Sequence, residues 1–343
     1  MACAEETRQA PAKRSKSARP TGIAMSDKPA ILVVQPHLAP IAAMLDADFT
    51  VWRLWMGPPL EASHTIRALL VAGEFPLDRA LAESLPELGL IASFTAGIEG
   101  VDLAWARERG LRVSHSPGVN QDDAADLAIG LLLAAWRGLI EGDAIVREGR
   151  WRPTEKRITH SLGGRRLGIV GLGAIGEAIA RRAEAFGLAV AWWGPNEKPD
   201  APWPRAASLL SLAGESDVLI VAARADEGNR GLIDRAVIEA LGPQGLLVNV
   251  ARGQLVDEAA LIAALKEGRL GMAALDVFET EPTPADRWAS VPNVLLSPHT
   301  AGSTSAAVPQ MLELTRENLR RFFAGEPLAN PVVDPESDLE EPD

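Results

Sequence analysis

In the stretch LLSPHTAGS, His299 stands between Pro298 and Thr300, just after the apolar run NVLLS, which reads as a short strand that the proline stops. Loops leaving a sheet are common carriers of catalytic side chains. Two further loops have the same setting: LLVNVARGQLVDE carries Arg252 and MAALDVFETEP carries Glu281, each after a β-rich run. In a doubly wound sheet the carboxyl ends of the strands line one crevice, where all three residues would meet. Their types suit one kind of chemistry. A guanidinium fork grips a planar carboxylate through two parallel hydrogen bonds. An imidazolium donates a proton to an oxygen on which negative charge is growing. A carboxylate against the other ring nitrogen fixes the imidazole and favours its charged form.

A second constellation lies upstream. RLGIVGLGAIGEAIARRAEAFGLAVAWW places Gly171, Gly173 and Gly176 in a G-x-G-x-x-G pattern that follows an apolar strand and opens a helix, the context in which the pattern binds a dinucleotide. Gly171 permits the turn, Gly173 lets backbone approach a pyrophosphate, and Gly176 lets helix and strand pack closely. The helix N-terminus favours the negative charge. The acid that holds the adenosine ribose of NAD is missing from the end of the next strand, where Gly194, Pro195 and Asn196 stand; the first acids are Glu197 and Asp200. Nothing there repels a 2′-phosphate, so NADP is the expected cofactor, with NAD the alternative. Lys198 in the same loop and Arg224 in VAARADEGN are the candidate phosphate contacts.

These elements belong to an α/β chain. Short apolar strands at 30–34, 67–71, 89–93 and 111–114 alternate with helical stretches, and after a long apolar helix at 122–149 the alternation resumes with strands at 166–170, 188–193, 217–222, 245–250, 271–275 and 293–296. Two doubly wound parallel-sheet units with a cleft between them are expected. A last helix, about 303–324, is placed to cross back to the first unit. The boundaries read as 28–121 plus 300–333 for one domain and 122–299 for the other. Residues 1–27 read as a disordered tail that an over-extended start before Met25 would explain, and 334–343 as an acidic tail.

With 34 basic and 46 acidic residues the chain carries a net charge of −12, which argues against a nucleic-acid partner or an anionic membrane surface and leaves a small molecule. Cys3 is the only cysteine, so neither a disulfide framework nor a thiolate metal site is available, and a cytoplasmic setting is expected. No apolar run approaches a membrane span. His37, His64, His115 and His160 have no comparable partners in the sequence and are expected to be structural or exposed. Trp52, Trp55 and Trp151 are candidates for shaping a pocket, though packing explains them equally.

GLGAIG, NVARGQLVDE, LDVFETEP and SPHTAG occur in the order found in the D-isomer-specific 2-hydroxyacid dehydrogenases, which the chain resembles over about residues 28–333. HSPGVNQDDAADLAIGLLLA and AWWGPNEKPD are most similar to the glyoxylate, hydroxypyruvate and hydroxyphenylpyruvate reductase branch. The resemblance implies a flavodoxin-like substrate domain and a Rossmann dinucleotide domain, and reduction of a 2-keto acid to the D-2-hydroxy acid by NAD(P)H. It makes Arg252 the carboxylate clamp, Glu281 the acid paired with the histidine, and His299 the proton donor. It assigns Ala96, Gly97 and Ile98 in SFTAGIEGVDL to the substrate carboxylate. Ala174, Ile175, Gly194, Asn196, Lys198, Ala223, Arg224, Ala251 and Asp276 join the three glycines around the cofactor. It also implies a homodimer joined near the 122–149 helix, and no metal. A different class remains open, a dinucleotide-sensing protein similar to the co-repressors of this fold, as do other branches of the family such as the 3-phosphoglycerate and formate dehydrogenases.

Overall fold

The computed structural model describes residues 28–57, 62–154 and 156–335; the tail at 1–27, with Cys3, and residues 336–343 lie outside the described residues. Strands β1 Ala30–Val33, β2 Thr50–Arg53, β3 Ile66–Val71, β4 Leu90–Ser93 and β5 Arg112–Ser114 pair in parallel in the order β5-β4-β3-β1-β2. A second parallel sheet holds β6 Arg166–Val170, β7 Ala189–Trp193, β8 Val218–Val221, β9 Leu246–Asn249, β10 Met272–Leu275 and β11 Val294–Leu296, in the order β11-β10-β9-β8-β6-β7. The chain then returns to the first sheet as β12 Pro331–Val333, antiparallel to β5.

Helices cover both faces of each sheet, so inner strands such as LLVN of β9 and VLIV of β8 are buried throughout and show as unbroken apolar runs. In each sheet the strand order reverses once, between β1 and β3 and between β6 and β8. These reversals open crevices at the strand ends, where ligands of such folds bind.

Two helices fix the lobes. Gln121–Trp136 buries Ala128 and Leu132 against Ile169 and Ala178 of the second lobe. Ala307–Ala324 crosses back and buries Met311, Leu312 and Leu319 on the first sheet, as its apolar face predicts. The single helix expected over 122–149 is in fact two. Gly138 adopts a left-handed conformation (φ 58°) after Arg137, and a second helix runs Leu139–Arg147. A glycine there is a helix-stop signal that the continuous apolar content outweighs in the sequence. The acidic tail also begins later than expected, since Asp334 is buried at the sheet edge and pairs with Arg112 at 2.9 Å.

Candidate active site

A cleft of about 750 Å³ opens between the lobes, with Arg252, Glu281 and His299 on one wall and Thr95, Ala96 and Gly97 on the other. Each wall is built by what happens just past a strand end.

His299 follows β11 in a left-handed conformation (φ 53°) that a non-glycine residue adopts at a cost of about 1–2 kcal/mol. The surrounding hydrogen bonds hold it there. Its own N–H donates to the Asp276 carbonyl at 2.8 Å, while the N–H groups of Thr300 and Ala301 each donate to one oxygen of the Asp276 carboxylate at 2.9 Å. Asp276, expected at the cofactor, is fully buried, with both oxygens engaged in shaping this turn. The turn aims the imidazole at Glu281, whose Oε2 lies 2.6 Å from Nδ1 and whose Oε1 accepts the Phe278 N–H at 2.9 Å. With Nδ1 engaged, Nε2 is the nitrogen left for a ligand.

Burial alone would drive both groups neutral. Against it, the hydrogen bond and charge of Glu281 hold the His299 pKa above the ordinary imidazole value, with Arg252 opposing and Glu74 adding to the rise. Burial likewise works to raise the Glu281 carboxyl, and the His299 contact, with the Phe278 N–H, brings it below the usual carboxylate range. The pair is therefore built to persist as imidazolium and carboxylate.

Arg252 follows β9. Buried Asn249 pins its turn, accepting the Ala251 N–H and donating to the Arg252 carbonyl, both at 3.0 Å. The guanidinium donates to the Ala251 carbonyl at 2.8 Å and reaches across the cleft to Glu99 at 3.3 Å, while its buried Nε has no partner. It lies so close to the opposite loop that a Cβ on Gly97 would sit 2.3 Å from Nη2. That loop is braced from below: Ser93 Oγ and Thr95 Oγ1 take the Gly73 N–H at 3.2 and 3.1 Å, and His115 Nδ1 is 3.0 Å from the Ala96 carbonyl. Among the described residues no acceptor is bonded to the N–H of Ala96, Gly97 or Ile98. Free amides beside an unpartnered guanidinium nitrogen suit an anion.

The dinucleotide crevice fits its group. Gly171 (φ 92°) presses on Ala223, where a Cβ would come within 2.5 Å of the Ala223 Cα, and a Cβ on Gly176 would strike the Gly171 carbonyl oxygen at 2.1 Å. Gly173, by contrast, faces open space at the N-cap of helix Ala174–Ala185, leaving that helix end uncapped by any side chain. Ala174 and Ile175 form its first turn, and Ala251 is buried next to Arg252.

At the end of β7 the expected phosphate contacts are placed differently. Lys198 is paired with Glu177 at 3.0 Å, and Arg224 is exposed, its carbonyl accepting from Asn229 at 2.8 Å. Arg205, which sequence reasoning passed over, donates to the Gly194 carbonyl at 2.8 Å and lies over the Trp192 ring at 5.7 Å. A bridge between Trp192 and Arg205 carries it back to the strand end. Asn196 lies exposed in the same loop.

Glu74 and Asn120, which the sequence does not single out, line the cleft together with His37, which is exposed, as expected, and packs against Phe75 with ring centroids 5.2 Å apart. His160 stacks on Trp136 and is structural, as expected. Among the described residues no group of acids, histidines and cysteines is arranged to hold a metal, and no helix is long and apolar enough to cross a membrane.

Comparison with known proteins agrees with this geometry. Residues 129–301 match the family described as D-isomer specific 2-hydroxyacid dehydrogenase, NAD binding domain. The chain is 40% identical over 308 residues to the hydroxyphenylpyruvate reductase of Plectranthus scutellarioides, covering 88% of this chain and 98% of that protein. Among solved structures, a 2-hydroxyacid dehydrogenase from Ketogulonicigenium vulgare superposes with a TM-score of 0.82 at 42% identity, over 89% of this chain and 98% of that one. The NADPH-dependent glyoxylate/hydroxypyruvate reductase of Sinorhizobium meliloti, solved with NADP and malonate, superposes with a TM-score of 0.83 at 35% identity, over 90% of this chain and 98% of that one. The chain belongs to the D-isomer-specific 2-hydroxyacid dehydrogenases, a family of two-domain oxidoreductases that work with a nicotinamide dinucleotide.

Proposed function

We propose that the protein reduces a 2-keto acid to the D-2-hydroxy acid, with NADPH preferred over NADH. The observation that carries the reading is the His299–Glu281 pair, at 2.6 Å, facing Arg252 and a loop of unbonded amides across one cleft. The Gly171–Gly176 turn would hold the pyrophosphate of the dinucleotide, whose reduced nicotinamide would supply the hydride. Arg252 and the N–H groups of Ala96, Gly97 and Ile98 hold the substrate carboxylate, which fixes the face of the neighbouring carbonyl. His299 donates its Nε2 proton to the carbonyl oxygen as negative charge grows there. Glu281 keeps the imidazole charged and in register before the transfer and stabilises it when the proton returns.

The relatives named for glyoxylate, hydroxypyruvate and hydroxyphenylpyruvate reduction support this substrate range. NADP is supported by the absent carboxylate at Gly194 and by Arg205, anchored beside it. A homodimer is supported by the exposed apolar side chains of Leu139, Ile140 and Val146 on one short helix, followed by exposed Trp151 and Ile158.

Steady-state oxidation of NADPH and NADH against glyoxylate, hydroxypyruvate, phenylpyruvate and hydroxyphenylpyruvate tests the reading. Turnover is expected with at least one of them, and His299→Ala is expected to lower kcat by about 10²- to 10⁴-fold while cofactor binding survives. Absence of turnover with every acid would favour a dinucleotide-sensing protein instead.

A further inference from the structure

Beyond Arg252 and His299 the cleft is walled by Leu38, Ile41, Phe75, Phe94 and Met311, a surface for the part of a substrate that takes no part in the reaction. Two titratable groups stand in this region, His37 against Phe75 and the carboxylate of Glu74. Glu74, half-buried, accepts a hydrogen bond from Thr95 Oγ1, which also takes the Gly73 N–H at 3.1 Å and so ties the acid to the loop that carries Ala96 and Gly97. The other two acids near the cleft are matched by cations, Glu99 by Arg252 at 3.3 Å and Glu281 by His299 at 2.6 Å. Among the described residues no cation lies within ion-pair distance of Glu74.

We propose that Glu74 is a charge filter that admits 2-keto acids with neutral side chains and rejects those carrying a second carboxylate or a phosphate. The inference rests on the 2-keto acid reading above. A first carboxylate is taken by Arg252 and the loop amides, so among the described residues lining the cleft no further arginine or lysine remains for a second one. Glu74 faces that second charge instead. Two like charges a few ångströms apart in a half-buried cleft repel strongly enough to change affinity by about tenfold to a hundredfold. A hydroxyl on the substrate side chain meets no such penalty and gains an acceptor in the unengaged Glu74 oxygen.

The test compares 2-ketoglutarate with 2-ketopentanoate, equal in chain length and differing by one carboxylate. The ratio of kcat/KM for the first over the second is expected to rise by about tenfold to a hundredfold in Glu74→Gln and to stay at the wild-type value in Glu74→Asp. Any effect of Glu74 on the His299 proton acts on both substrates and cancels in the ratio. Calorimetric titration of 2-ketoglutarate into protein saturated with NADP⁺ reads the same discrimination without turnover. Glu74→Gln is expected to tighten that binding by the same factor. An unchanged ratio and unchanged binding in Glu74→Gln would overturn the filter. Absence of turnover with glyoxylate, hydroxypyruvate, phenylpyruvate and hydroxyphenylpyruvate alike would overturn the reductase reading, and the titration would still decide the role of Glu74.

Discussion

Arg205→Ala is expected to abolish most of the preference for NADPH. The guanidinium is held by one hydrogen bond to the Gly194 carbonyl at 2.8 Å and a longer one to Pro195 at 3.4 Å, with Glu197 only at 3.8 Å and itself largely exposed. Carbonyl contacts orient an arginine without neutralising it, so a charge is parked where the adenosine ribose of a dinucleotide lies. A hydrogen bond to a charged group contributes about 1.5–3 kcal/mol. The side chain is 34% exposed, and solvent screening places the contact near the lower figure, about 1.5 kcal/mol or tenfold in affinity. Lys198 is already matched by Glu177, and Arg224 has no anchor comparable to the Gly194 contact, so Lys198→Ala and Arg224→Ala should change the preference by less. The assay is calorimetric affinity for adenosine 2′,5′-bisphosphate against 5′-AMP in wild type and the three variants, alongside kcat/KM for NADPH over NADH. Arg205→Ala should lower the 2′-phosphate advantage about tenfold, and raised salt should erode it in wild type. A wild type that binds both nucleotides equally, or an Arg205→Ala variant that keeps the advantage while Arg224→Ala loses it, would refute the reasoning.

Other expectations follow from the same geometry. With His299 as the proposed proton donor, activity should fall as pH rises through a pKa that Glu281 holds above the ordinary value; Glu281→Gln removes that support and should move the alkaline fall in kcat/KM to lower pH. An unmoved profile would separate Glu281 from the proton donor. Gly97→Ala places a methyl 2.3 Å from Arg252 Nη2 and must displace the guanidinium, so kcat/KM for keto acids should fall by up to about 10²-fold with NADPH affinity retained. Parallel losses in cofactor affinity would point to a wider disturbance. Ile140→Asp sets a charge on the exposed apolar face of the Leu139–Arg147 helix, and sedimentation should show a shift from dimer towards monomer; an unchanged mass would place the interface elsewhere.

The legible parts of this protein are those in which one residue type has one physical use. Inner strands are unbroken apolar runs because both faces are buried, and the glycine turn is visible because a Cβ at Gly171 or Gly176 would collide with backbone. The edge strands of the first sheet escaped for the opposite reason, whereas those of the second, β7 and β11, are legible. TVWR of β2 is half-buried throughout and β12 is three residues opening on Pro331, so neither carries a periodic signal. The wall of Arg252, Glu281 and His299 was visible because each follows a strand of one sheet, and a shared edge can be inferred from order alone. The opposite wall comes from another lobe.

Glu99, Glu74 and His37 face the site only because two sheets meet across a cleft, and no spacing in the chain encodes that approach. Arg205 was hidden by a shorter detour: eleven residues separate it from Gly194, yet its bridge to Trp192 returns it to the same strand end. Asp276 has a use that type alone does not show. A carboxylate beside a cofactor crevice reads as a ligand contact, and both its oxygens also hold the backbone that bends His299 into place. The residues proposed to decide which acid and which nucleotide enter are thus the ones whose placement depends on tertiary approach. Those proposed to perform the reaction follow strand ends of one sheet, which is why a chemistry could be read before a specificity.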